Sequence, residues 1–289
     1  MSALLSRALL RTLVTACILA LVPTSLHAAG SQTFSTAGTY SFTIPSYDTL
    51  TVQVWGGGGG GGGSTFHPGN PYGPAGTGGQ SSFQSLIADG GAGGNRNVVL
   101  STSAGGAGGS ASGGSVNTAG NAGLSIQSPT LSGGSGGSAP NGGTGGAGGA
   151  WYSNGSPGNS PGAGGGGASR QSTMQRNGSS PNSGAGGGGS GGYTSYTYTA
   201  GSLSVGASVP VVVGAGGNGG YAISSAYYQN GGSGAPGQVT ITWTDPVTPT
   251  CSVWADTSPI AYGGTTVLRW TTTNASSMYI TNVGWVGTS

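Results

Sequence analysis

Residues 133–150 read GGSGGSAPNGGTGGAGGA, and across 142–149 glycine takes two positions of every three. Such a stretch has almost no side chain to bury, and glycine loses more backbone freedom on ordering than any other residue. Of the 67 glycines, all but Gly30, Gly38, Gly263, Gly264, Gly284 and Gly287 lie between positions 56 and 237, about one residue in three there. They come in clusters, at 90–94, 105–109, 133–137, 142–149, 186–192 and 216–220. That clustering excludes collagen, which needs glycine strictly at every third place. Flexible coil is the default for this composition.

Three features point instead to order. The GGx spacing has period three, the period of a polyproline II helix. Two faces of such a helix carry only hydrogen, so neighbouring helices approach backbone to backbone and exchange the amide bonds that none makes internally. The clusters are separated by short polar segments, as expected of short helices joined by turns. Apolar strand patterns also bracket the region, and a compact domain does not accommodate a long structureless insert. Tyr40, Phe42 and Ile44 alternate with polar residues, as do Leu50, Val52 and Val54. Residues 196–198, 203–205 and 209–213 read as further strands, and Val239, Ile241 and Trp243 alternate with threonines. Period two is the half-buried strand pattern. The expected fold is mainly β with little or no α: a β-scaffold carrying a bundle of short polyglycine II helices over residues 29–245. Trp55 and Trp243 are expected to be structural. A proline-marked linker at 246–250 leads to a β-rich tail over 251–289, where Cys251 and Trp270 are also expected to be structural.

Residues 1–28 differ from the rest. Arg7 and Arg11 precede an apolar run at 12–22, followed by Pro23 and a small-residue site near Ala28. This is the layout of a secretory signal, too short for a membrane span. The chain is therefore expected to be exported, extracellular or at the cell surface, with no transmembrane anchor in the mature part. Cys17 sits inside the apolar run, so no lipid anchor is expected. The mature part has no Lys and no Glu. It keeps Arg96, Arg170, Arg176 and Arg269 against Asp48, Asp89, Asp245 and Asp256, a formal charge of zero. No basic field exists for nucleic acid. Cys251 stands alone there, so no disulfide within the chain is expected.

Catalytic constellations are missing from the pattern. His67, the one mature histidine, lies in a loop-like stretch, STFHPGN. One His and one Cys do not make a metal site. The many GxGxxG matches follow from glycine abundance, and a P-loop needs a lysine. The expectation is no enzyme, no cofactor and no metal. Binding is better supported. Residues 66–72, 151–159, 170–177 and 221–230 are inserts between glycine clusters that carry larger side chains. Tyr and Trp beside Asn and Ser suit sugars, with rings stacking and amides hydrogen bonding. Trp151, Tyr152, Tyr227, Tyr228, Tyr72 and His67 are the candidates, with Arg170 and Arg176 for an acidic sugar or carboxylate. The bland reading is that these aromatics cap the ends of the bundle.

Four motifs in order carry a resemblance: SFTIP at 41–45, LTVQVW at 50–55 running into glycine, VVVGAGG at 211–217, and GGSGAPGQVTITW at 231–243. They resemble the glycine-rich domain of bacterial surface and phage tail proteins. The domain is similar in character to the tip adhesins of T-even phage tail fibres and to the glycine-rich region of the anaplastic lymphoma kinase receptor. The resemblance implies a β-scaffold bearing polyglycine II helices, with loops at the bundle end binding host surface molecules. The tail, with Cys251-Ser252-Val253, Gly263-Gly264, Leu268-Arg269-Trp270 and Thr273-Asn274-Ala275, resembles the start of a bacterial immunoglobulin-like repeat. That family needs about seven strands over ~100 residues. The expected function is an adhesin-like surface or secreted protein whose partner is a cell-surface glycan or protein receptor. The alternatives are a self-associating matrix or filament protein and, further off, an ice-binding protein like the glycine-rich antifreeze protein of snow fleas.

Overall fold

The computed structural model describes residues 29–64, 72–96, 102–127, 132–170, 183–222, 229–246, 248–256, 264–275, 277–280 and 284–287. The signal expected at 1–28 lies outside them. The chain divides into a unit Ala29–Thr244 and a second unit from Asp245 on. Among the described residues there is no α-helix, and the architecture is mainly antiparallel β.

The strands in chain order begin with β1 (Gly30–Phe34), β2 (Gly38–Thr43), β3 (Thr49–Trp55), β4 (Tyr72–Gly73), β5 (Ser81–Phe83) and β6 (Leu86–Ala88). They continue with β7 (Ala111–Ser112), β8 (Val116–Thr118), β9 (Ser169–Arg170), β10 (Ser183–Gly184), β11 (Tyr193–Thr199) and β12 (Ser208–Val213). β13 (Tyr221–Ala222) and β14 (Gln238–Trp243) complete the first unit. One five-stranded sheet has the order β1-β14-β3-β11-β8, and the other β2-β12-β5-β6-β7. Their alternating apolar residues face one another in a single core, from Leu50, Val52 and Val54 of β3 to Val209, Val211 and Val213 of β12. Burying each such side chain contributes about 1.5–3 kcal/mol. Trp55 is buried separately, its ring 4.9 Å from Tyr193 and its indole N–H donating to the Pro140 carbonyl at 2.8 Å. Trp243 lies at the core's edge, 5.8 Å from the Phe42 ring.

One strand expectation is overturned. Residues 203–205 form no strand but the turn between β11 and β12. Gly201 and Gly206 both take φ +81°, which breaks extended pairing there. Leu203 packs on the core instead, and its N–H donates to the Tyr47 hydroxyl at 2.8 Å.

The glycine runs grow directly from one end of this sandwich. β3 runs into 56–64, β6 into 89–95 and β12 into 214–220, while β11 continues 184–192 and β14 continues 229–237. Outside the strands these segments are joined by backbone hydrogen bonds with a period of three. From 56–62, Gly56, Gly59 and Gly62 donate to Gly192, Gly189 and Gly186. Gly57 and Gly60 donate to Gly79 and Gly76, and Gly58 and Gly61 to Ala235 and Gly232. All seven bonds measure 2.8–3.0 Å. The carbonyls of 57–62 accept from Gly91 and Gly94, from Gly217 and Gly220, and from Gly165 and Ala168. One extended segment thus bonds in six directions. Segments 162–168 and 185–192 are enclosed in the same manner, and these three also bond to one another.

Position in this array follows the spelling of each segment. The enclosed segments are 56–63, all glycine, and runs such as GAGGGGA at 162–168, every residue of which is buried. Outer segments use GGx. In 143–150, Gly143, Gly146 and Gly149 are buried while Thr144, Ala147 and Ala150 are exposed. A Cβ on Gly61 would overlap the Gly166 carbonyl, and one on Gly165 the Gly232 carbonyl.

In the second unit, β15 (Thr250–Ala255) pairs with β16 (Leu268–Thr273), and β17 (Ser277–Ile280) with β18 (Gly284–Gly287). Cys251 is half-buried opposite Thr272, and Trp270 is half-buried opposite Val253. An exposed ion pair joins Arg269 Nε to Asp256 Oδ1 at 2.6 Å.

Two outcomes follow. Gly61→Ala and Gly165→Ala should each lower unfolding stability by about 1–3 kcal/mol or more, the cost of overpacking. Ala147→Ser, on an exposed position, should stay within ~0.5 kcal/mol. Denaturant titration of the whole chain separates them; a tolerated alanine at 61 would refute the close packing. The second concerns Asp89, whose carboxylate accepts from the Ser110 hydroxyl and, at 2.7 Å, from the Gln80 amide. Those bonds hold its carboxyl below the usual range, the Ser110 bond most strongly. A depressed carboxyl adds stability that is present above its unfolded pKa of about 3.9 and is lost as pH falls through the lower folded value. Melting temperature should therefore drop on acidification below about pH 4, and Asp89→Asn should flatten that slope.

Candidate functional site

The hydrogen bonds, antiparallel to some neighbours and parallel to others, put the far ends of the glycine segments together, opposite the sandwich. Short pairings close that end: β4 with β13, β9 with β10, and the single bridges Ser64–Gln229, Ser103–Ile126 and Ser132–Ala150. All four inserts singled out in the sequence leave from or return to this end. Of the candidates, His67, Arg176, Tyr227 and Tyr228 lie outside the described residues. Tyr72 falls on β4, paired with Ala222, and Arg170 on β9, paired with Ser183.

Trp151 and Tyr152 form the turn between outer segments 143–150 and 153–159. Both hold left-handed backbone conformations, φ +37° and +59°. Such φ values are unfavourable for bulky residues and cost on the order of 1–3 kcal/mol each. The Trp151 ring nevertheless stays 66% exposed. The turn is fixed from below. Ser153 Oγ donates to the Ala150 carbonyl, the Ser153 N–H donates to Ser169 Oγ at 3.3 Å, and the Ser169 N–H donates to the Ser153 carbonyl at 3.1 Å. That places the aromatic pair beside the strand carrying Arg170. On the other side, Asn154 Oδ1 accepts from the Asn230 N–H at 2.8 Å, and the Gly155 N–H donates to the Asn230 carbonyl at 2.9 Å. Gly231 in turn donates to the Gly220 carbonyl, next to Tyr221, which is 52% exposed. An aromatic pair, two asparagines and a tyrosine therefore succeed one another across the tip.

The sequence reading missed Arg96. It ends segment 89–95, whose Asn95 N–H donates to the Ala104 carbonyl and whose Arg96 carbonyl accepts from Ser103 Oγ at 3.2 Å. The signal was present, since NRNVVLSTSA at 95–104 is also an insert between glycine clusters. Its mostly aliphatic and small residues drew no attention beside the aromatic inserts. Tyr221, Asn154 and Asn230 lay within recognised inserts but were not singled out.

Among the described residues no cluster of His, Cys, Asp and Glu is placed to hold a metal ion, and no helix is long and apolar enough to cross a membrane. The tip brings together exposed ring faces and asparagine side chains on a hydrogen-bonded base. Compared with known proteins, the chain matches no family model and no curated protein sequence.

Proposed function

We propose that the chain is an exported, non-enzymatic, adhesin-like protein. In this reading the glycine segments are polyglycine II helices, the three-residue hydrogen-bond period being the support, and their bundle presents the tip to a cell-surface glycan. Export rests on the signal pattern of the first 28 residues. The tail is the beginning of an immunoglobulin-like stalk domain. The observation that carries the functional reading is the Trp151-Tyr152 turn. Two adjacent aromatics in left-handed conformations, one of them two-thirds exposed, cost stability where glycine or asparagine would not. Strain of this kind gathers at binding sites because the ring placement itself is the useful product. Sugars stack on such rings while neighbouring amides hydrogen bond to hydroxyls.

One observation favours the matrix reading as the second choice. Among residues 245–246, 248–256, 264–275 and 279 none is buried, and β15 and β16 pair only with each other. Open strand edges promote association. A concentration-independent monomer in analytical sedimentation would exclude that alternative.

The test of the first reading is a split between stability and binding. Trp151→Gly should leave unfolding stability equal or raised by about 0.5–1 kcal/mol, because glycine accepts the left-handed φ. The same change should lower attachment to an array of cell-surface glycans by about tenfold or more, as loss of an aromatic anchor does. Loss of stability with binding unchanged would make Trp151 a packing residue and remove the site.

A further inference from the structure

Among the described residues Asn141, Asn154, Asn218 and Asn230 are each followed by glycine. Asn177-Gly178 lies outside them. In an Asn-Gly pair the glycine nitrogen comes close to the asparagine Cγ with little hindrance, because glycine has no Cβ in the way. Three of the four glycine nitrogens are held. The Gly142 N–H donates to the Ala139 carbonyl at 3.2 Å, the Gly155 N–H to the Asn230 carbonyl at 2.9 Å, and the Gly231 N–H to the Gly220 carbonyl at 2.9 Å. Asn154 is held twice, since its Oδ1 also accepts from the Asn230 N–H at 2.8 Å. Gly219 differs. Among the described residues its N–H donates to nothing, and the exposed Asn218 side chain has no partner. The cause is the place of segment 214–220 on the outside of the array. Gly217 and Gly220 donate inward to Gly58 and Gly61, which turns Asn218 outward and leaves the Gly219 N–H unclaimed.

We infer that Asn218 is a site of spontaneous deamidation, a modification that the fold suppresses at the other three asparagines. The step needs only water and hydroxide. Hydroxide removes the Gly219 amide proton, and the nitrogen's electron pair forms a bond to Asn218 Cγ. The Cγ–Nδ2 bond breaks, and that nitrogen leaves as ammonia after taking a proton from water. One water then opens the five-membered imide. Breaking the bond between the Gly219 nitrogen and Cγ gives aspartate, and breaking its bond to the original main-chain carbon gives isoaspartate. A glycine nitrogen whose proton is donated to a carbonyl must first give up that bond, and Gly219 has none to give up. Isoaspartate carries the main chain through Cβ, one bond longer by about 1.5 Å. Gly217 donates to Gly58, and Gly220 both donates to Gly61 and accepts from Gly231, so the spacing between them is set at three residues. The lengthened chain does not meet both sets of bonds. The modification therefore loosens segment 214–220 where it leads into Tyr221 at the tip.

The experiment incubates the full chain at mildly alkaline pH and follows each asparagine by peptide mass spectrometry, with isoaspartyl methyltransferase to count isoaspartate. Synthetic peptides of the same four local sequences set the rates without the fold. In the folded chain Asn218 should react within about threefold of its peptide, since it gives up no hydrogen bond. Asn141, Asn154 and Asn230 should each lag their peptides by about tenfold or more, the effect of first giving up a hydrogen bond. In denaturant all four should match their peptides. The melting temperature of the aged chain should fall as isoaspartate accumulates at 218. Asn218→Gln should keep its starting melting temperature through the same incubation. Asn218→Asp, which adds the charge without lengthening the chain, should melt close to the fresh protein. Protection of Asn218 equal to that of the other three overturns the site. Equal reaction of all four in the folded chain overturns the part given to the Gly219 N–H. An equal fall in aged Asn218→Gln overturns the loosening of segment 214–220.

Discussion

The backbone hydrogen bond between unlike segments, repeated at every third residue, is the constraint on which the rest of this protein depends. A segment that bonds in six directions has no direction left for a side chain. Glycine at 56–63 is therefore required by space, since φ values there are ordinary and a Cβ would meet a neighbour's carbonyl. The entropy lost in ordering so many glycines is opposed by amide bonds that satisfy every N–H and C=O from 57 to 62. An enclosed amide without a partner costs about 1–3 kcal/mol, so the array is stable only when complete. Two cohesive chemistries thus divide the first unit. Side-chain burial holds the sandwich, and main-chain bonding holds the segments beyond it.

That division explains which parts were legible in the sequence. Period two with apolar residues announces β2, β3, β12 and β14, because the sandwich depends on side chains. Period three in the outer segments likewise reports a solvent face, as Thr144 and Ala147 do. The enclosed segments were harder to read. An all-glycine run has no period, and 56–63 looks more like a spacer than GGx does, although it lies deepest. β5 and β6 escaped notice because each has three residues and their turn is Gln84-Ser85, with Gln84 at φ +53° where glycine would have flagged it. Phe83 and Leu86 are nonetheless fully buried in the core. Residues 203–205 misled in the opposite sense, since Leu and Val there alternate without a partner strand.

The candidate site was legible as composition and illegible as place. Large side chains stand out against glycine, so the inserts could be found. Their convergence on one end follows from how the segments pair, some antiparallel and some parallel, which no local pattern encodes. Arg96 belongs to that end only because segment 89–95 runs outward from β6.

Register itself is the last dependence. Sliding one glycine segment by three residues along its neighbours would restore the same bonds, so the array alone does not choose among such slips, just as flat glycine-rich strands specify register weakly. The choice is made at both ends. At the base, the pairing of Trp55 with Tyr193 continues into the Gly56–Gly192 bond, and the sandwich core fixes that alignment by burying alternate side chains. Along the outer segments the few non-glycine residues add pins: Asn121 Nδ2 donates to the Ser138 carbonyl at 2.7 Å, and Asn159 Nδ2 to Thr144 Oγ1 at 2.7 Å. At the tip, the bond from Asn230 to Asn154 joins the Trp151 turn to its neighbour. The tip residues therefore stand at the end of a hydrogen-bonded array whose alignment is set by hydrophobic packing at its base. A substitution in the sandwich that shifted β3 against β11 would move the glycine segments by whole steps of three and break up the aromatic row without touching it.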